Sequence, residues 1–146
     1  MMTQTLEAKS PIWITAVAGL GVVWNAYGLY QYIGSFQQTK DSLMAAGMTA
    51  TQADIYLALP IWMTIAFGVG VVGGILGSLA MLLGRAFAVK IFAVSFGGYI
   101  LLFSGDVYFG VFNAIPSQLA ILAVVVAISV LLLGIAWRAE RRGYLA

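Results

Sequence analysis

The residues whose type and spacing could do chemistry are three glycines, one amide and one carboxylate. Gly68, Gly70 and Gly73, in the stretch FGVGVVGGILGS, spell G-x-G-x-x-G, the spacing that lets backbone amides approach a pyrophosphate. That use needs a strand before the glycines, a helix N-terminus under the phosphates and an acidic residue about 20 positions on. Here the preceding residues are IWMTIAF, and the next acidic residue is Asp106. The nucleotide reading is set aside, and no nucleotide or other cofactor is expected. Asn25 and Asp106 remain as the candidate polar contacts.

The chain has no Cys and no His. Thiolate metal sites, Cys or His nucleophile–base pairs and the usual axial ligand of haem are therefore excluded. No catalytic residue and no metal ligand is assigned, and the chain is read as a non-enzyme. A formal net charge of +2 is too small to point to nucleic acid.

The elements that carry these residues follow from composition. Hydrophobic residues make up 62% and charged residues 8% of the 146 positions, far from the roughly 45–50% and 25% of soluble domains. The expectation is an all-α integral membrane protein, a single domain over 1–146. Four transmembrane helices are expected at about 11–33, 57–83, 86–109 and 115–137, each near the ~20 residues needed to cross the hydrocarbon. Ser10-Pro11 reads as an N-cap followed by proline at the first helical position, and Gly84 as a left-handed stop before Arg85. The loop between the first two spans reads as a short helical outer cap. One helix covers Thr39–Ala46 and stops at Gly47; a second opens at a Thr49–Gln52 capping box and runs toward Pro60.

With four crossings, Lys9, Arg85, Lys90, Arg138, Arg141 and Arg142 fall on one side and Lys40 on the other. Basic residues favour the cytoplasmic side. Both termini are therefore expected in the cytoplasm, with the protein in a bacterial inner membrane. Tyr27, Tyr30, Tyr32, Phe36, Trp62, Tyr108, Phe109 and Phe112 form the expected outer aromatic belt, and Trp13, Phe87 and Trp137 the inner one.

In lipid, helices associate through close packing at small residues rather than through hydrophobic gain. The second span carries Gly70, Gly74 and Ser78 in one row and Gly73 and Gly77 in another. The first carries Ala18, Gly21, Asn25 and Gly28. These stripes are read as helix-packing faces, either meeting inside the bundle or joining a second copy. Asn25 is read as an interhelical hydrogen bond, with a solute or headgroup contact as the alternative. Asp106, counted along its helix, reaches the outer interface, where a carboxylate is solvated; a proton or cation site is the alternative.

The segments WNAYGLYQYI, YLALPIW, GVVGGILGSLAMLLGRAFAVKIFAVS and RRGYLA resemble a family of small four-helix bacterial inner-membrane proteins. Its members are labelled hypothetical membrane proteins or sugar transporters. The likeness covers nearly the whole chain. It is sharpest at Trp24-Asn25, Pro60-Ile61-Trp62, the glycine row with Arg85 and Ala88-Val89-Lys90, and Arg142-Gly143-Tyr144-Leu145. The family brings no established site residues to transfer.

The function expected from the sequence is that of an accessory or structural subunit. It would pack against membrane lipids and either itself, as a homo-oligomer, or a larger inner-membrane complex. The alternative is an oligomeric small-solute, sugar-like transporter. The orientation is open to a direct check, because the chain lacks Cys. A membrane-impermeant maleimide should label Lys40→Cys in intact cells and Arg142→Cys only after lysis; the reverse pattern refutes the orientation.

Overall fold

The structure, a computed structural model, describes residues 10–146. Lys9, one of the charges used to orient the chain, lies outside the described residues. Among those residues the chain is helical throughout: α1 (Ile12–Ser35), α2 (Lys40–Ala45), α3 (Ala50–Leu57), α4 (Ile61–Leu82), α5 (Ala88–Tyr108), α6 (Val111–Ala114) and α7 (Pro116–Arg141). The four long helices, α1, α4, α5 and α7, are long and apolar enough to cross a membrane, and they pack as a bundle. The fourth extends beyond its expected end at residue 137, so Arg138 and Arg141 sit on its last turn, where cations complement the exposed carbonyls. Residues 57–60, expected within the second span, instead close α3 and lead into α4 at Pro60.

Packing centres on α4, which lies along both α1 and α5; α5 in turn lies along α7, and α7 meets α1 only sparsely. The α1–α4 contact is antiparallel. A Cβ built on Gly21 would lie 2.6 Å from Ser78 Oγ, one on Gly68 would lie 2.6 Å from the Tyr32 hydroxyl, and one on Gly74 would collide with the Asn25 amide. Gly28 faces Val71, and Ala18 is fully buried. The opposite side of α4 receives α5. Gly77 takes the Phe92 ring, Gly73 the Ser95 backbone and Gly70 the Tyr99 ring. The small residues of α4 thus form two faces on one helix, and Gly70 turns toward α5 rather than toward α1.

The cap and the opposite, basic end are tied down differently. In the cap, Thr39 with Ser42 and Thr49 with Gln52 form two reciprocal capping boxes, and Gly47 makes the turn between α2 and α3 at φ +110. Lys40 Nζ pairs with Asp54 Oδ1 at 3.0 Å, and Gln52 Nε2 donates to the Ala114 carbonyl at 2.9 Å. Leu43, Ala53, Val111 and Ile115 are buried beneath the cap.

At the basic end, Gly84 and Gly143 take left-handed φ of +73 and +76, each ending a helix as glycine readily can. Ala146 N–H then donates to Gly84 O and Ala86 N–H to Ala146 O, both at 2.9 Å. Leu145 is buried beside Ile14, Met81, Phe92 and Leu132. Ser10, expected as an N-cap, makes no cap bond: Pro11 is the capping residue of α1, and Ser10 Oγ donates to Tyr144 O at 2.8 Å. The folded-back RRGYLA segment brings that carbonyl to it.

The tightest backbone approach also identifies a sensitive position. A Cβ on Gly98 would lie 2.8 Å from Ala66 O and 3.0 Å from Gly70 N, whereas one on Gly97 meets nothing within 4 Å. Gly98→Ala should therefore destabilise the bundle by about 1–3 kcal/mol, because backbone cannot move aside as a side chain can. Gly97→Ala should change it by less than about 1 kcal/mol. Reversible unfolding in mixed micelles compares the two; equal stabilities would refute the α4–α5 register.

Candidate functional site

Among the described residues, spaces lie between the long helices at two depths. The first, at the cap end, is a cavity of about 420 Å³, a size typical of small-molecule sites. Its wall is built from the end of α1 at Ser35 and Phe36, from Thr64 and Phe67 on α4, and from Leu122 and Val125 on α7. α3 contributes Tyr56, and α5 contributes Asp106. Local sequence explains why these helices leave room here. The glycines that draw α4 against α1 lie from Gly68 onward, whereas the first two turns of α4 carry full-sized side chains.

Asp106 differs from its expected setting. It lies near the end of α5, as the residue count requires, but it is only 7% exposed and lines the cavity instead of facing solvent. The count along one helix gives its depth; α6, α3 and the cap end of α7, which line the same space, lie outside that count. Among the described residues its carboxylate joins no ion pair and no side-chain hydrogen bond. No Lys or Arg lines the cavity.

Asn25 also differs from expectation. It is 4% exposed, and its Nδ2 donates to Gly21 O, four residues back on its own helix, at 2.8 Å. The amide is thus satisfied within α1, not across helices, and its oxygen side presses into the notch that Gly74 leaves. Among the described residues, a side-chain hydrogen bond between two long helices comes instead from Ser95, whose Oγ donates to Gly70 O at 2.6 Å. Ser104 bonds backward along its own helix, to Ile100 O at 2.8 Å. Ser78 Oγ is fully buried with no hydrogen-bond partner among the described residues.

The second space is about 10 Å³ at mid-bundle, bordered by Asn25, Gly74, Ser95, Tyr99 and Ser129. That is no more than one water requires. Below it, toward the basic end, Ile14, Met81, Phe92 and Leu132 form a closed apolar plug. The interior therefore runs from an open cavity at the cap, past a thin band of polar groups, to a sealed base. Among the described residues no group of three or more Asp, Glu, His or Cys could hold a metal ion.

Several contributors were not read from the sequence. Gly98 and Gly105 complete the α4–α5 seam, Gly105 lying against Trp62 and Met63; their spacing of seven on one helix face was the available signal. Tyr56 precedes the expected second span, and its place in the cavity depends on how the cap folds. No protein-family model, curated protein or solved structure is detectably similar to the chain.

Tyr56 lies outside the long helices and reports on the cavity. Burial, and after it the Asp106 charge, raise its hydroxyl above the ordinary value of 10.0. A proton held more tightly in the folded state gives stability that is complete below the unfolded tyrosine value and is lost as pH rises through the folded one. Tyrosinate absorbance, taken as the difference from Tyr56→Phe, should show this phenol ionising later than a free tyrosine. Asp106→Asn should bring it part of the way back; no change on that substitution would separate the two residues.

Proposed function

We propose that the protein is a small-solute binding protein of the membrane, with the cavity at the cap end as its site. The observation that carries this reading is the 420 Å³ cavity itself, apolar for most of its wall and bordered by a few polar groups at Tyr56, Thr64, Asp106 and Gln118. That distribution suits the apolar body of an amphiphile with a single polar head. It suits a sugar poorly, since a sugar's hydroxyls all need partners once removed from water.

The charge asymmetry of the sequence supports an orientation with the cavity on the outer side and the plug on the cytoplasmic side. A solute would then enter from outside or from the outer leaflet. The accessory-subunit reading loses its main support, because Gly70, Gly73, Gly74, Gly77 and Ser78 are all buried within the bundle. The remaining exposed apolar faces of α1 and α7 fit lipid.

The test is equilibrium binding in nanodiscs of zwitterionic lipid, using phenylbutanol and phenylbutylamine as probes and protein-free discs as reference. At least one probe should bind saturably, near one per chain. Thr64→Trp and Val125→Trp, which fill the cavity from two different helices, should each remove that binding. Non-saturable partitioning of both probes, or saturable binding untouched by both variants, refutes the reading.

A further inference from the structure

Asp106 lies near the end of α5. It is more than nine-tenths buried, borders the cavity and has neither a cationic partner nor a hydrogen-bond donor from a side chain among the described residues. An ionised carboxylate in apolar surroundings is costly unless something neutralises it. The wall around it supplies no Lys or Arg. A proton on the carboxyl, or a cation that enters the space, would neutralise it.

We propose that the cavity selects a monovalent lipophilic amine, with Asp106 as its counter-ion and the apolar wall as the seat of its hydrocarbon body. The proposal rests on the reading of the cavity as a solute site. Three features of the wall fit a cation with an apolar body better than an inorganic ion. A divalent cation seeks six or more oxygens, and beside Asp106 the wall offers only scattered hydroxyls and one amide, at Ser35, Tyr56, Thr64 and Gln118. Phe36, Tyr56 and Phe67 bring aromatic rings to the same space, and ring faces attract organic cations at little desolvation cost. The carboxylate stands at the end of a largely hydrocarbon enclosure, as an ammonium group joined to an apolar tail requires.

Charge selection separates from cavity binding in a matched series: phenylbutylamine, phenylbutanol and phenylbutyrate, measured on the full chain in zwitterionic nanodiscs. The amine should bind roughly tenfold or more tighter than the alcohol, and the butyrate more weakly than either. Asp106→Asn should bring the amine to the level that the alcohol shows on the same variant, with thermal unfolding in the same discs showing that the variant retains its fold. If that variant does not fold, the ranking on the native protein decides alone. Amine and alcohol binding equally, both blocked by Val125→Trp, overturns the charge proposal and leaves the cavity as a site. Saturable binding by none of the three overturns both.

Discussion

The fold depends on one helix being thin on two sides. In a bilayer the lipid chains offer apolar side chains as much as another helix does, so helices stay together only where their backbones come close enough for many weak contacts to accumulate. α4 meets this requirement twice. Gly74 and Ser78 admit α1, while Gly70, Gly73 and Gly77 admit α5. Every other long-range feature is arranged around this slab. The Ser95–Gly70 hydrogen bond crosses at a point where no side chain on α4 intervenes, and the Asn25 amide is held in a notch only glycine could provide.

The cavity is the other side of the same constraint. The close approach of α1 to α4 runs from Gly68 to Ser78, and nearer the cap Thr64 and Phe67 face a gap, while α5 stays close through Gly98 and Gly105. The short α3 and α6 cover part of that gap. Asp106 then becomes a group whose surroundings are set by three separate segments of the chain.

Much of this architecture was legible in the letters. The four apolar stretches, the glycine stops at Gly47 and Gly84 and the capping box at Thr49 and Gln52 depend on neighbours within a few residues, and all appear as read. The rows on α1 and α4 could also be read, although the row alone did not say that Gly70 would turn away from α1. What could not be read depends on distant segments. Ser10 gives up a cap for a carbonyl 134 positions away, Asn25 satisfies itself along its own helix, and Asp106 is enclosed by parts of the chain that helix counting ignores. Gly98 shows the same limit from the other side: a lone glycine next to Gly97 looks unremarkable until the facing backbone is known.

The two ends of the bundle differ in how firmly they are sewn. At the base, a strap of backbone joins the last residues to the α4–α5 turn and to the entry of α1, with Leu145 set like a rivet in the plug. At the cap, one exposed ion pair and one side-chain hydrogen bond span the gaps, and exposed pairs of that kind are worth little. Polar ties to the cap are thus few, whereas at the base the last residues of the chain are woven into the backbone of the α4–α5 turn.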